Sequence, residues 1–145
     1  NVVARGGMQV GSCLAGVAFL KGLGLVHAIS HMIGAEFNTH HGNTNAIVLP
    51  VVLRFNLRGM ESKVRRMAEA MEFADQSVDG FIASIERLLD EVHIHRSLWE
   101  VGVPPDCAER IALKALKDPA ARTNPRSASP DEVRTLIEVA IHNAR

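Results

Sequence analysis

The sequence has 145 residues, of which 47% are hydrophobic, so residues 1–145 are long enough and apolar enough to bury a core as one domain. Sixteen basic and sixteen acidic residues leave no net charge, which gives no electrostatic case for a nucleic acid or a membrane surface as a partner. Cys13 and Cys107 lie far apart, without disulfide or metal-binding spacing, which indicates reduced thiols and a cytoplasmic location.

The first 23 residues are apolar, with Arg5 near the start and Lys21 near the end. A signal or membrane segment can have this composition, but the apolar run before Lys21 is only about ten residues long, too short to cross a bilayer. The small residues Gly11, Ala15 and Gly16 suit close packing between helices. The segment is therefore predicted to be a buried helix of a soluble protein.

The next stretch, residues 24–50, contains four of the seven histidines of the chain. His27 and His31 are four residues apart in a segment rich in helix formers, so a helix places both rings on one face. Such pairs are more often ordinary surface or core histidines than metal ligands. A third nearby imidazole favours ligation, because imidazole suits first-row transition metals. Spacing alone leaves both interpretations open.

Glycine and proline set the predicted boundaries around these histidines. Gly34 is predicted to end the first helix by adopting a left-handed conformation. Residues 38–43 are polar and are predicted to form the following loop, which contains His40 and His41. The apolar segment after the loop contains Pro50, which predicts a second helix that is kinked or restarted at this proline.

The rest of the chain is predicted to be helical, because apolar positions recur at intervals of three and four residues. The predicted helices span 60–73, 79–92, 105–116 and 130–143, with a turn at 99–105 and a loop at 118–129. His93 and His95 follow the second of these helices and are interpreted as structural or surface residues. No segment alternates apolar and polar residues as a strand does, so the predicted fold class is all-α.

Three motifs between residues 22 and 56 resemble a known signature. The run GLGLVHAISHMIG, followed by HHGNTNAIVLP and RFN, is similar to that of the iron-containing (group III) alcohol dehydrogenases, and the similarity covers nearly the whole chain. The resemblance implies a helical bundle-like domain, the C-terminal domain of the dehydroquinate synthase-like / iron-containing alcohol dehydrogenase fold. It also implies an N-terminal nucleotide-binding domain that this chain lacks, so residues 1–145 are expected to be a single helical metal-binding domain.

The resemblance also implies roles for individual residues. His27 and His41 would bind the divalent metal, which is iron(II) in the family, although zinc also suits imidazole ligands. His31 would be a catalytic residue near the nicotinamide and the substrate, whereas spacing alone pairs it with His27 as a ligand. Phe19 would either line the substrate pocket or be ordinary core. His40, next to a proposed ligand, is expected to be a residue of the substrate pocket or one that supports the ligands.

The implied reaction is hydride transfer between a small alcohol or aldehyde and NAD(P), with the metal polarising the substrate oxygen. Gly22 and Gly24 lack a preceding strand and a later acidic residue, so they are a weak nucleotide-binding signal. NAD(P) is therefore expected to bind through the N-terminal domain, and the isolated chain is expected to be inactive.

Two other classes of protein remain compatible with the sequence. One is a non-enzymatic helical metal-binding or interaction module with the same fold, and the other is a purely structural bundle with satisfied core histidines. The identity of the alcohol, the choice between NAD and NADP, and a homo-oligomeric state are left open by the sequence.

Overall fold

The structure is a computed structural model that describes residues 1–143. Its regular elements are helices, and no strand occurs within these residues, which confirms the all-α prediction. The α-helices are α1 (Val2–Ala18), α2 (Leu25–Phe37), α3 (His41–Asn56), α4 (Glu61–Ala70), α5 (Val78–Glu91), α6 (Ala108–Ala115) and α7 (Pro130–Asn143). Short 3₁₀ helices occur in several of the connections.

The larger core lies between α2, α3, α6 and α7. Helix α2 packs against α3 and α6, and α7 packs against α6 and α3. The fully buried side chains are mostly aliphatic and come from all four helices, as shown by Ile29, Ile47, Ile111 and Ile137. Burial of one such side chain stabilises the fold by about 1.5–3 kcal/mol. This core fixes α2 against the start of α3, where the histidines lie.

A smaller core lies on another face of α3 and is formed together with α4 and α5. Val64 of α4 and Phe81, Ile82 and Ile85 of α5 are buried in it. These residues belong to the apolar stripes that the sequence predicts for the two amphipathic helices, and both helices are confirmed. Helix α3 therefore supports both cores.

A loop at residues 118–126 holds the start of α2. The backbone N–H of Leu25 donates a hydrogen bond to Oδ1 of Asn124 (3.1 Å). Gly22 has a φ of 97°, and a Cβ added there would lie 2.3 Å from Cβ of Thr123. A side chain at this position would collide with the loop, so glycine is required for the close approach. The glycines before α2 thus serve contacts within this chain.

The same loop also holds the end of α3. Asn124 and Asn56 exchange two amide hydrogen bonds of 2.8 and 2.9 Å. Arg126 donates to the backbone carbonyl of Phe55 (3.1 Å), and its guanidinium carbon lies 4.0 Å from the centroid of the Phe55 ring. The loop therefore ties the beginning of α2 to the end of α3.

The predicted end of the first histidine helix is wrong. Helix α2 continues through Gly34 to Phe37, and Asn38 takes the left-handed conformation at the C-cap, with φ 55° and ψ 36°. Asparagine tolerates this conformation because its short polar side chain can bond locally. The backbone N–H of Asn38 donates to the carbonyl of Gly34 (3.0 Å), which closes the last turn.

Helix α3 begins earlier than predicted. The predicted loop 38–43 ends at His40, because Nδ1 of His40 accepts a hydrogen bond from the backbone N–H of Asn43 (3.3 Å) and so caps the helix. His41 is the first residue of the helix. The helix continues through Pro50, so a restart there is wrong, while the alternative, a kink at this proline, stays a prediction. The missing backbone donor at Pro50 costs free energy, which the packing of α3 into both cores offsets.

Helix α1 forms as predicted, but it is not buried. None of its residues is buried, and Val2, Met8 and Leu14 are 85%, 74% and 65% exposed. The prediction of a buried helix is therefore wrong for this structure, because α2 to α7 close both cores without α1. By length and composition, the 20-residue segment Val2–Lys21 could also cross a membrane, a criterion that core helices of soluble proteins meet as well.

Candidate metal centre

Three imidazoles converge where α2 passes the start of α3. His27 and His31 lie one turn apart on α2, and His41 is the first residue of α3. The ring centroids are 5.3 Å apart for His27 and His41, 5.5 Å for His31 and His41, and 5.7 Å for His27 and His31. The pair on α2 follows from helical spacing, whereas His41 joins it because the two helices pack together.

Asn45 links His27 and His41. It lies four residues after His41 on the same helix face, and its amide nitrogen is 3.0 Å from Nε2 of His41 and 3.3 Å from Nε2 of His27. Its amide oxygen accepts a hydrogen bond from the buried hydroxyl of Ser30. An amide nitrogen donates only, so each of the two Nε2 atoms is placed to accept from Asn45.

The electrostatics of the cluster favour the neutral form of His27. Burial lowers the pKa of His27, and the neighbouring His41 and His31 lower it further, while Asp118 acts in the opposite direction. A neutral imidazole with its lone pair on Nε2 is the form that binds a metal ion. In that form, the Nε2 atom of His27 that faces Asn45 can offer its lone pair to a metal ion.

His31 has a carboxylate partner in the loop after α6. Oδ2 of Asp118 lies 3.1 Å from Nδ1 of His31, and Oδ1 of Asp118 accepts the backbone N–H of Ala120 (2.7 Å). Sequence reasoning missed Asp118, because 87 positions separate it from His31 and no local pattern connects the two. It also missed Asn45, although the spacing of four residues from His41 was a usable signal.

The remaining predicted site residues differ in their relation to the cluster. The ring of Phe19 meets that of His27 edge-on, with centroids 5.5 Å apart, and Phe19 is 51% exposed. His40 caps α3, and no contact of its ring with the clustered imidazoles is found in the described residues. His93 and His95 are exposed, and Nδ1 of His95 lies 3.1 Å from the amide nitrogen of Asn43.

The imidazole donors are chemically suited to a first-row transition-metal ion, but there are too few of them to form a complete site. Imidazole nitrogens suit such ions, and a catalytic site usually has three or more protein ligands. Within residues 1–143, no group of three or more histidine, cysteine, aspartate or glutamate side chains is placed to hold a metal ion. His27 and His41 could supply two ligands, and a complete site needs further donors.

The fold and the site together define a helical domain with an imidazole cluster between two packed helices. Comparison with known proteins gives its family. The family model described as "Fe-containing alcohol dehydrogenase family, C-terminal" matches the sequence over residues 1–141. The chain therefore belongs to the iron-containing alcohol dehydrogenase family and corresponds to its C-terminal part. The match begins at residue 1, so it includes the exposed helix α1.

Several relatives cover nearly the whole chain. The probable alcohol dehydrogenase EutG of Salmonella typhimurium is 33% identical over 141 residues, which are 97% of this chain and 36% of that protein. The 1,3-propanediol dehydrogenase of Citrobacter freundii is 35% identical over 150 residues, 97% of this chain and 38% of that protein. A crystal structure of 1,3-propanediol oxidoreductase superposes with a TM-score of 0.77 and 32% identity, over 82% of this chain and 33% of that one. The chain thus spans slightly more than a third of the length of the curated relatives it matches.

Proposed function

We propose that the chain is the metal-binding helical part of an alcohol dehydrogenase that transfers hydride between a small alcohol or aldehyde and NAD(P) in the cytoplasm. The observation that carries the proposal is the convergence of the Nε2 atoms of His27 and His41 on the amide of Asn45, at 3.3 and 3.0 Å. The names of the relatives favour a dehydrogenase over a non-enzymatic module. The unpaired cysteines, Cys13 and Cys107, support a reducing compartment.

In this proposal, His27 and His41 hold the metal ion, with iron(II) as the ion and zinc as one that imidazole accepts equally well. The bound ion would supply Lewis-acid polarisation of the substrate oxygen. Without metal, Asn45 holds the two Nε2 atoms close together, and Ser30 in turn holds Asn45. Because each Nε2 has one lone pair, a bound ion would take the place of the Asn45 amide. The remaining ligands and the NAD(P) site belong to a nucleotide-binding region outside these 145 residues, as expected for the C-terminal part of the family.

His31 is proposed as a catalytic residue. During oxidation, the alcohol carbon gives a hydride to NAD(P)⁺ and the hydroxyl group loses a proton, which His31 accepts. The ring of His31 lies 5.7 Å from that of His27 and 5.5 Å from that of His41, so it borders the two ligands. Phe19, with its exposed ring against His27, would pack on the carbon chain of the substrate, and His40 would lie at the edge of the pocket.

The proposal is tested by assaying two proteins: the 145-residue chain and the product of the complete coding sequence. Each is supplied with iron(II) or zinc, NAD(P) and a panel of small alcohols, and reduced nicotinamide is followed by absorbance. We expect no turnover from the chain alone, because it has two ligands and residues 1–143 contain no βαβ unit. We expect the complete protein to turn over at about 1 per second or faster.

Two variants of the complete protein serve as matched controls. His27→Ala should abolish turnover, whereas His93→Ala, which removes an exposed histidine outside the cluster, should leave it unchanged. Turnover by the 145-residue chain alone would contradict the proposed division of roles. A complete protein that binds metal and NAD(P) but oxidises none of the alcohols would contradict the proposed activity.

A further inference from the structure

The carboxylate of Asp118 has one oxygen committed to the backbone and one to a histidine. Oδ1 accepts the N–H of Ala120 at 2.7 Å, and Oδ2 lies 3.1 Å from Nδ1 of His31. The Asp118 side chain is 11% exposed and that of His31 is 36% exposed. An ionised carboxylate only accepts hydrogen bonds, so Nδ1 of His31 is the donor and carries a proton.

The loop around Asp118 restricts its movement. Asp118 caps the 3₁₀ helix Pro119–Thr123, and the proline that follows it has a fixed φ. At the other end of the loop, Asn124 is bonded to Asn56 and to the backbone of Leu25. The carboxylate is therefore held by a segment that is itself fixed to both histidine-bearing helices, α2 and α3.

The ring of His31 is also held on its flat side. It stacks on the ring of His41, with an interplanar angle of 17° and a centroid distance of 5.5 Å. A ring fixed on one face by stacking and at Nδ1 by Asp118 has little freedom to exchange its two nitrogens. The nitrogen on the other side of the ring, Nε2, is then the one without a proton in the neutral form.

We propose that Asp118 is a positioning residue that holds His31 in the Nδ1–H tautomer, so that Nε2 is the nitrogen that exchanges a proton with the substrate. The tautomer rests on the geometry of this chain alone, and the proton exchange rests on the proposed function. Asp118 acts through His31 and makes no contact with the substrate in this account. Its closest analogue in chemistry is a carboxylate that orients a catalytic imidazole through its Nδ1–H group.

A purely structural role for Asp118 is the rival explanation, because the residue also caps a helix. Asp118→Ser separates the two roles. A serine hydroxyl is a good N-cap and can still accept the N–H of Ala120, but its side chain is too short to reach Nδ1 of His31. If the cap were the whole function of Asp118, the serine variant would behave as the parent does.

The test measures the tautomer of His31 directly in the ¹⁵N-labelled 145-residue chain, treated with a chelator and kept at alkaline pH. Side-chain ¹H–¹⁵N correlation spectra distinguish the two nitrogens, and the His31→Gln variant assigns the signals. We expect Nδ1–H for His31 in the parent chain and a mixture with Nε2–H in Asp118→Ser, at unchanged thermal stability. A parent His31 protonated on Nε2, or an Nδ1–H signal that survives in Asp118→Ser, would overturn the proposal.

A second arm uses the complete protein and separates this proposal from the proposed function. Asp118→Ser should lower kcat by at least about 10-fold, with KM and metal content close to those of the parent. If the complete protein is not a dehydrogenase, no kcat can be measured, yet the spectra of the 145-residue chain still determine the tautomer of His31. An unchanged kcat in Asp118→Ser, beside an active parent, would overturn the role of Asp118 in proton exchange.

Discussion

Helices α1 and α2 are neighbours in the chain and are both apolar, yet they have opposite environments. Helix α1 has no buried residue, whereas α2 buries Leu25, Ala28, Ile29, Ser30 and Ile33. Helix α2 packs against α3 and α6, and its first turn is bonded to the loop at residues 118–126. The difference shows that burial is decided by the surfaces available to a helix and not by its composition alone.

The same difference is found within the proposed site, between the imidazoles on α2 and α3 and the ring of Phe19 after α1. The imidazoles lie on helices that this chain packs by itself, so their mutual geometry is set locally. Phe19 follows α1 and is half exposed, although its ring meets that of His27. Phe19 belongs to neither core, so the packing of the cores does not fix its position against His27.

The largest effect is expected from removing a buried side chain of α2. Ile29→Ala should lower the free energy of unfolding of the 145-residue chain by about 2–5 kcal/mol, because Ile29 is fully buried and the cavity is not refilled. Leu14→Ala, the matched change on α1, should alter it by less than about 0.5 kcal/mol. Urea unfolding followed by circular dichroism measures both. Similar losses in the two variants would show that α1 is packed in solution.

An intermediate effect is expected from the bonds that hold the start of each helix. Asn124→Ala leaves the N–H of Leu25 and the amide of Asn56 without their partner, which should cost about 1–3 kcal/mol. Asn1→Ala removes the cap of α1, where Asn1 accepts from the backbone of Val3 and Ala4. That change should reduce helical content without moving the main unfolding transition, since α1 is not part of either core. A shift of the main unfolding transition in Asn1→Ala would show that α1 is packed against the rest of the chain in solution.

The sequence predicts the helices well because their apolar positions recur at helical spacing, and α5 and α7 lie within one residue of the predicted bounds. The ends of helices are harder to predict, because more than one nearby residue can provide the cap. Gly34 is the predicted cap of α2, but Asn38 takes the left-handed conformation instead. The burial of α1 depends on partner surfaces that no local pattern encodes.

Some residues of the candidate site could also be predicted from the sequence, and others could not. His27 and His31 follow from helical spacing, and the resemblance to the family adds His41. Asp118 reaches His31 only through the packing of α2 against the loop after α6, so it has no signal in the sequence. Long-range contacts of this kind appear only once the fold is known.

The smallest effect concerns an ion pair that fixes α2 and has no counterpart on α1, which contains no acidic residue. Glu36 is bonded to Arg110 and Lys114 of α6, and these bonds, that of Arg110 first, lower the pKa of Glu36 to about 2. The carboxyl group of Glu36 thus binds its proton more weakly in the folded state than in the unfolded chain. The stabilisation is complete above the ordinary pKa of 4.5 and is lost as the pH falls towards 2.

Glu36→Gln should therefore melt at a lower temperature than the parent near neutral pH, and the gap should narrow as the solution is acidified. The effect is modest and should shrink with added salt, because the pair is at the surface. Glu69→Gln on α4 is the control, since no side-chain bond of Glu69 is found in the described residues. If the difference in melting temperature between Glu36→Gln and the parent does not change with pH, the ionised carboxylate of Glu36 is not the cause of that difference.

His27 and His41, which α2 and α3 bring together, are the proposed ligands of the metal ion. Elemental analysis of the complete protein carrying His41→Ala or His40→Ala tests this assignment. We expect His41→Ala to lose its metal and His40→Ala to retain it, because Nε2 of His41 faces the cluster while the ring of His40 caps α3. Equal loss of metal in the two variants, or full occupancy in His41→Ala, would contradict the assignment.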